Sequence, residues 1–206
     1  MNVKLIENFL DEAAKIMAEE KVHLIEEDSI VGDGDLGLTM SDGFIAASES
    51  LKNNPQTDCG KALYFAGKAM SIKVPSTMGT LMASGLMQAG KVLKGKEELT
   101  REDVVSIFEE YLNGVTHRGK AKIGEKTFVD GLYPAVECLK NSIDKPLLES
   151  AKLAEEAAME GYKNTQGMLA VHGRAATRGE DSRKLLDPGA LVAALLMKAF
   201  ANSLNN

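Results

Sequence analysis

Apolar residues recur every three or four positions along much of the 206-residue chain, and this spacing places them on one face of an α-helix. Residues 2–21 form the first such stretch, with Leu5, Phe9, Ala13 and Ile16 on its apolar stripe. Seven further helices are predicted at about residues 39–51, 58–73, 75–93, 100–115, 129–141, 146–162 and from 187 onward. The pattern therefore predicts eight helices.

Helix start signals support several of these boundaries. Ser76 and Thr77 are both candidates to cap the fourth helix by accepting hydrogen bonds from N–H groups one turn further on. Thr100 and Asp103 form a variant of the capping box in which Asp replaces the usual Glu. Asp187 is expected to be the N-cap of the last helix, with Pro188 at its first position.

Two stretches depart from an ordinary amphipathic pattern. The fourth predicted helix is rich in small residues, including Gly79, Ala83, Gly85 and Gly90, which indicates close approach of another helix or of a ligand. Residues 163–186 are the longest stretch without helical periodicity. Loops of this length in compact domains are usually functional or mobile.

The composition is that of a folded helical domain. Hydrophobic residues make up 44% of the chain, which argues against disorder, and we expect residues 1–206 to form one domain. Aromatic residues are 5%, Trp is absent and there are 10 Met, which favours helix over sheet. The net charge of −6 argues against nonspecific binding of nucleic acid.

Cysteine use and hydropathy predict a cytoplasmic protein with no membrane segment. Cys59 and Cys138 are far apart and form no Cys-x-x-Cys motif, which fits a reducing compartment. An amphipathic helix, rather than a signal peptide, follows Met1. The longest apolar run, from Ala190 to Met197, is too short to cross a bilayer.

Three carboxylates and three glycines crowd one short stretch, in the order Asp28, Gly32, Asp33, Gly34, Asp35 and Gly37. Glycine lets the backbone bend through positive φ and approach a ligand closely. Carboxylates crowded on such a bend repel one another unless a cation lies between them. Mg²⁺ usually combines one or two carboxylates with waters and a substrate phosphate. We therefore predict a magnesium site whose remaining positions belong to a phosphorylated ligand.

An acidic surface turn and a calcium-binding EF-hand are the alternative interpretations of this stretch. Asp and Gly are common turn residues, so the loop alone leaves the surface turn open. The EF-hand fails on spacing, since counting from Asp33 puts Phe44 at position twelve, where a bidentate Glu is required. The predicted helix that follows favours a ligand site, because helix N-termini present free N–H groups and a positive dipole end to anions.

A basic segment at residues 116–127 resembles a P-loop at first sight. Gly119 to Gly124 is followed by Glu-Lys-Thr, which is one residue too many, and a helix precedes the segment where a strand is required. The P-loop interpretation is therefore rejected. The segment still supplies cations suited to phosphates, although Lys120 and Lys122 are more simply explained as solvated lysines.

These motifs together resemble the L subunit of dihydroxyacetone kinase, the nucleotide-binding subunit of that enzyme. The first motif is Asp28, then Gly-Asp-Gly-Asp-x-Gly at 32–37, then Thr-Met-x-x-Gly-Phe at 39–44. A second consists of Arg118, Gly119, Lys120, Gly124, Lys126, Thr127 and Asp130.

The remaining motifs lie in the fourth helix and near the C-terminus. Gly79 matches the last glycine of a Gly-rich turn, whereas the family's other residues there are replaced by Pro75, Ser76 and Met78. Near the C-terminus, Gly-Arg-Ala is followed by Asp-Pro-Gly-Ala. Arg174 and Asp187 are thirteen positions apart, as the corresponding residues are in the family. The departures outside the fourth helix are Leu36 for a frequent His, Glu125 for Asp, Phe128 for Met, Thr177 for Tyr and Asp181 for Arg.

The resemblance implies an all-α fold of eight antiparallel helices in an up-and-down barrel, with the nucleotide site at one end. It implies that Asp28, Asp33 and Asp35 hold two Mg²⁺ ions on the phosphates of ADP or ATP. Arg174, with help from Lys126, would add positive charge at the phosphates. The nucleotide-binding residues implied by the motifs are Leu36, Gly37, Leu38, Thr39, Thr77, Met78, Gly79, Gly119, Phe128, Arg174, Asp187, Pro188 and Gly189, and the Phe128 ring would pack on an adenine face.

The activity implied is phosphoryl transfer to a short-chain hydroxyketone such as dihydroxyacetone. No residue of this chain is suited to hold the carbonyl substrate covalently, and the solitary His172 is read as an exposed loop histidine. In the resembled system a separate K subunit holds the substrate, so we expect this chain to be inactive alone. The phosphoryl donor is either free ATP or a phosphotransferase M subunit that rephosphorylates tightly held ADP.

Other functions remain open. One is a nucleotide-gated binding module that regulates a transcription regulator or another enzyme. A second is a kinase subunit for a related sugar-like ketone. The nucleotide domain of a fatty-acid kinase is less favoured, because it would normally be fused to further domains.

Overall fold

The structure, a computed structural model, describes residues 1–205. Within them the chain forms nine α-helices and a segment of 3-10 turns at Arg174–Lys184, and its strand pairing is one isolated bridge between Asn2 and Glu98. The helices are α1 (Val3–Glu19), α2 (Lys21–Val31), α3 (Leu36–Asn53), α4 (Cys59–Lys73), α5 (Thr77–Val92), α6 (Arg101–Gly119), α7 (Phe128–Asn141), α8 (Leu147–Lys163) and α9 (Pro188–Ser203). The predicted all-α class is confirmed.

All eight predicted helices are present, and α2 is an additional one that the pattern did not predict. Its apolar residues form no stripe, because Leu24 is buried whereas Val22 and Ile30 are exposed. As a result Asp28 lies on the last turns of a helix rather than on a loop. The acidic loop of the sequence analysis is reduced to the turn at residues 32–35.

Helices that follow one another in sequence pack side by side, which is the arrangement of an up-and-down bundle. The series runs from α3 through α8, α1 packs on α3, and α9 closes the ring by contacting α1 as well as α7 and α8. Helix α9 is apolar on nearly all sides, and every residue from Ala190 to Met197 is buried, as expected for a helix enclosed by others.

Three aromatic rings join α1, α6 and α9 in the core. The ring centroids of Phe108 and Phe200 are 4.6 Å apart, and Phe9 lies 5.6 Å from Phe108 and 6.0 Å from Phe200. Their tilted and edge-to-face geometries are favourable for aromatic pairs. All three rings are buried, so they link helices far apart in sequence within one hydrophobic core.

No single helix among residues 1–205 has both the length and the apolar character of a membrane span. The 3-10 turns Arg174–Lys184 and α9 meet that test only when taken together, across a bend of 86°.

Hydrogen bonds confirm predicted caps at the starts of α5, α6 and α9. Ser76 Oγ accepts from the Gly79 N–H at 3.1 Å, and Asp187 accepts from the Ala190 N–H at 2.7 Å. Thr100 and Asp103 form the predicted capping box. A second capping box, Thr127 with Asp130, starts α7.

The small residues of α5 serve helix packing. A Cβ atom added to Gly90 would lie 2.5 Å from the Gly60 carbonyl oxygen and 2.6 Å from the Tyr64 nitrogen, both backbone atoms of α4. On the other side of α5, a Cβ at Gly85 would lie 2.5 Å from the buried Tyr111 ring of α6. Of the two explanations for this stripe, these positions support close approach of helices rather than contact with a ligand.

A buried polar cluster of Lys126, Thr165 and Asp187 joins the loop before α7 to the end of α8 and the start of α9. The Lys126 ammonium donates to the Thr165 carbonyl at 2.9 Å and also to the Leu185 carbonyl. The Asp187 N–H donates to Thr165 Oγ1 at 3.0 Å. Burial raises the pKa of Asp187 to about 7, although the Ala190 N–H and the nearby Lys126 charge act in the opposite direction.

Replacing Gly90 by Ala is expected to lower the free energy of unfolding by about 2 kcal/mol, because the new methyl group meets backbone that cannot move aside. Urea unfolding followed by circular dichroism measures the change. Val92→Ala, at an exposed position of the same helix, is the control and should change stability far less. A Gly90→Ala protein as stable as the wild type would contradict the close α4–α5 contact.

Replacing Asp187 by Asn is expected to stabilise the metal-free protein at about pH 8, because the amide keeps the N-cap acceptor and removes a buried charge. The folded-state pKa of about 7 lies above the ordinary value of 3.8, so the native carboxyl stays protonated while the unfolded chain has lost its proton. The wild-type free energy of unfolding therefore falls as the pH rises from about 4 to about 7.

Urea unfolding in a chelator over this pH range tests the prediction. The stability gain of Asp187→Asn should be small at about pH 4 and grow with pH to as much as about 4 kcal/mol. Asp58→Asn changes a less buried N-cap aspartate at α4 and should give no comparable gain at high pH. A gain for Asp187→Asn that is the same at every pH would contradict the buried-charge explanation.

Candidate functional site

The three aspartates predicted to bind metal come together where α2 ends and α3 begins. Asp28 is on α2, Asp33 is in the intervening turn and Asp35 is the N-cap residue of α3. One carboxylate oxygen from each lies within 4.8 Å of the other two. Gly32 has φ −132° and allows this approach for a steric reason, because a Cβ there would lie 2.6 Å from Asp28 Oδ1.

The electrostatics of this aspartate trio favour a cation. Partial burial raises the pKa of the Asp28 carboxyl, and the charges of Asp33 and Asp35 raise it further, whereas the Leu36 N–H, 3.3 Å from Asp28 Oδ2, acts in the opposite direction. Asp33 and Asp35 are exposed and present their oxygens to solvent. Three oxygen donors at this spacing fit a hard divalent ion, which takes carboxylates and waters together.

The Arg174 guanidinium places a positive charge at the aspartate trio. Its Nη2 atom lies 2.6 Å from Asp33 Oδ2, and its side chain is 68% exposed. Exposed ion pairs of this kind contribute little to stability, on the order of 0–1 kcal/mol. The contact is therefore evidence that Arg174 reaches the trio, and it does not hold the fold together.

Most of the predicted nucleotide-binding residues lie at the N-termini of four helices. They are Leu36, Gly37, Leu38 and Thr39 in α3, Thr77, Met78 and Gly79 in α5, Phe128 in α7, and Asp187, Pro188 and Gly189 at α9. Gly119 is the last residue of α6, and Arg174 begins the 3-10 turns.

Contacts between these N-termini bring them to the same end of the bundle. Ser76 Oγ, at the cap of α5, lies 3.4 Å from Thr39 Oγ1 in α3. A Cβ at Gly189 in α9 would lie 3.3 Å from the Phe128 nitrogen in α7, and the charge of Asp28 contributes to the raised pKa of Asp187. Free N–H groups and helix dipoles make such a gathering favourable for an anion beside the trio.

The structure does not support the predicted roles of two side chains. Lys126 was expected to add charge at the phosphates, but it is 2% exposed and its ammonium donates to the carbonyls of Thr165 and Leu185. The Phe128 ring was expected to pack on an adenine, but it is also 2% exposed and lies 6.1 Å from the Tyr111 ring. The fold turns both side chains into the interior, where neither is placed to contact a ligand in this structure.

Sequence reasoning also missed a contact that holds the loop before Arg174. His172, interpreted as a solvated loop histidine, has its Nε2 atom 2.7 Å from Glu125 Oε2. This contact lowers the pKa of the Glu125 carboxyl, and the backbone N–H of Lys122 acts in the same direction. No sequence signal links residues 47 positions apart. The Thr127–Asp130 capping box, in contrast, has a recognisable sequence pattern and could have been predicted.

Comparisons with known proteins agree with the motifs. The DAK2 domain matches residues 30–202. The ADP-binding subunit DhaL of a PEP-dependent dihydroxyacetone kinase from Escherichia coli (strain K12) is 33% identical, over 95% of this chain and 94% of its own. A subunit of the same description, belonging to PEP-dependent dihydroxyacetone kinase 2 of Listeria innocua, is 30% identical over 95% of this chain and 92% of its own.

The fold is also found in a solved structure. The crystal structure of the dihydroxyacetone kinase of C. freundii in its native form superimposes with a TM-score of 0.74 at 24% identity. The match covers 97% of this chain and 34% of that one, so this chain spans about a third of the larger protein. A second structure of that kinase, in complex with AMP-PNP and Mg²⁺, gives the same TM-score at 23% identity.

The resemblance inferred from the separated motifs is confirmed by these matches, and with it the assignment to a family of kinase subunits. Because the family match covers most of the sequence and the Escherichia coli relative is 33% identical over nearly the whole of both chains, this chain belongs to the DAK2 domain family.

Proposed function

We propose that this chain is the nucleotide-binding subunit of a dihydroxyacetone-type kinase and presents Mg-ADP or Mg-ATP to a hydroxyketone held on a separate K subunit. The observation that carries the proposal is the aspartate trio, whose oxygens lie within 4.8 Å of one another beside the gathered helix N-termini. The names of the relatives, which are ADP-binding kinase subunits, support the same conclusion.

Each part of the site has a role suited to a diphosphate. Asp28, Asp33 and Asp35 would hold two Mg²⁺ ions, and Mg²⁺ neutralises and orients phosphate oxygens during phosphoryl transfer. The N–H groups at the starts of α3 and α5 are donors for the phosphate oxygens that the ions leave free. Arg174 brings a permanent positive charge to the same place, and a guanidinium can bind phosphate with two parallel hydrogen bonds.

The carbonyl substrate needs a second protein. The charged side chains that meet at the trio are the three carboxylates and the Arg174 guanidinium, and neither kind of group is suited to hold a ketone covalently. The proposed K subunit supplies that group. Either free ATP or a phosphotransferase M subunit restores the phosphoryl group, and ADP that remains bound through purification would favour the M subunit.

Two alternatives keep the same nucleotide site. A related sugar-like ketone could be the substrate, since the L-erythrulose 1-kinase of Mycolicibacterium smegmatis is 29% identical over 95% of this chain and 34% of its own length. A regulatory module that uses nucleotide binding to control another protein would contain the same trio and would show no transfer activity with a K subunit.

Asp33→Asn and Asp35→Asn should each weaken binding of Mg-ADP by at least about 100-fold, because each removes one charged ligand of the metal. Isothermal titration calorimetry with excess Mg²⁺ measures the affinity, and nucleotide-dependent thermal stabilisation should be lost in parallel. Glu49→Gln, an exposed change on α3, is the control and should bind as the wild type does. Unchanged affinity in both aspartate variants would remove the basis for this site.

The chain alone should not phosphorylate dihydroxyacetone, because it lacks a group that holds the ketone. Adding the K subunit that partners the Escherichia coli relative, with ATP or with the matching phosphotransferase components, should produce phosphorylated product. Product formation is followed by a coupled assay, with dihydroxyacetone and L-erythrulose compared as substrates. Binding of Mg-nucleotide without transfer in any of these mixtures would favour the regulatory module.

A further inference from the structure

Lys126 is a buried cation whose hydrogen-bond acceptors are backbone carbonyls. It is 2% exposed and donates to Thr165 O and Leu185 O, and no carboxylate in the described part of the chain lies within ion-pair distance of it. Lysine is rarely buried without a specific partner, because removing the ammonium from water is unfavourable. Burial accordingly lowers the pKa of Lys126, although the charge of Asp187 acts in the opposite direction.

The backbone at this lysine is also unusual. Lys126 has φ +61°, in the left-handed region that residues other than glycine rarely adopt. The capping box that follows it holds this conformation, since the Asp130 carboxylate accepts from the Thr127 N–H at 2.7 Å. A strained residue that its surroundings hold in place is typical of positions with a functional constraint.

The two carbonyls that Lys126 binds mark the ends of one loop. Thr165 follows α8 and Leu185 precedes the cap of α9, so one ammonium joins backbone positions 20 residues apart. Residues 166–186 are called the Arg174 segment below. Its base is closed further by two hydrogen bonds. The Gly167 backbone N–H donates to the Arg183 carbonyl at 2.8 Å, and the Arg183 guanidinium donates to the Gly167 carbonyl at 2.7 Å.

Glu125, the neighbour of Lys126, holds the middle of the same segment. Its backbone carbonyl accepts from the Val171 N–H at 3.3 Å, and its carboxylate lies 2.7 Å from His172 Nε2. Arg174 follows two residues later and reaches Asp33 at 2.6 Å. Two consecutive residues of the α6–α7 loop therefore hold the segment at its base and at a point beside Arg174.

We propose that Lys126 is a positioning residue: it fixes both ends of the Arg174 segment to the α6–α7 loop and thereby keeps Arg174 beside the aspartate trio. The anchoring role stands on the contacts alone, whereas its effect on nucleotide binding rests on the proposed function. Without the ammonium, two buried carbonyls lose their donor and the base of the segment loses its connection to the α6–α7 loop, while the Gly167–Arg183 pair and the Asp187–Thr165 hydrogen bond remain. Binding a nucleotide would then require the segment to be ordered again.

Limited trypsin digestion of the ligand-free protein tests the anchoring. The segment contains four cleavage sites, at Arg174, Arg178, Arg183 and Lys184. In Lys126→Met, cleavage at these sites should be faster by roughly tenfold or more, as expected when charged hydrogen bonds that close a loop are lost. Mass spectrometry assigns each site, and cleavage at Lys68, in the middle of α4, reports global unfolding.

Lys122→Met is the matched control, because it makes the same substitution at an exposed lysine of the same loop and should digest as the wild type does. If Lys126→Met does not fold, Lys126→Gln replaces it, since the shorter amide keeps one donor group. Unchanged cleavage in the segment, an equal increase at Lys68, or failure of both variants to fold would each overturn the proposal. Unchanged cleavage would mean that Lys126 does not anchor the segment. The other two results would mean that Lys126 stabilises the whole protein rather than the segment.

Nucleotide affinity tests the consequence for the site. Titration with Mg-ADP should show about tenfold weaker binding for Lys126→Met, with no change for Lys122→Met. Faster cleavage of the segment together with unchanged affinity would contradict the positioning of Arg174. A wild-type protein that binds no Mg-nucleotide would contradict the proposed function instead, and the digestion result would still decide whether Lys126 anchors the segment.

Discussion

Repulsion among three aspartates held within 4.8 Å of one another is the interaction on which the rest of the site depends. Partial burial raises the pKa of the Asp28 carboxyl, and the negative charges of its two neighbours raise it further. The arrangement persists because α2, the turn and α3 fix the backbone, and because the Leu36 N–H and Arg174 offset part of the charge. A divalent cation would relieve this repulsion directly, and this is the physical basis of the proposed metal site.

The up-and-down order of the helices explains why the residues of the proposed site meet. In such a bundle alternate connections lie at the same end, so the turn before α3 and the loops before α5, α7 and α9 are neighbours. The connections at the other end have a structural role: the Met1 ammonium and Arg101 side chain there bind backbone carbonyls of Leu99 and Ile143. Four helix N-termini consequently share one end with the aspartates.

Two cations near the site illustrate how burial separates roles. Arg174 is exposed and contacts a carboxylate, so it is available to a phosphate, whereas Lys126 is enclosed and binds backbone carbonyls. Both residues match the family motifs, and in the sequence each is a cationic residue close to a glycine. Their side chains nevertheless differ in solvent access, and solvent access decides whether a charge can act on a ligand.

The all-α class, the eight predicted helices, several caps and the aspartate trio could be predicted from the amino-acid sequence, because they depend on local periodicity and on residues close together in the chain. The sequence did not predict α2, since that helix has no apolar stripe and is held by packing against α3. Local patterns could not predict that Phe128 packs on Tyr111, that Lys126 binds the ends of a distant loop, or that His172 contacts Glu125. These contacts join residues far apart in sequence, and their geometry depends on how whole helices pack.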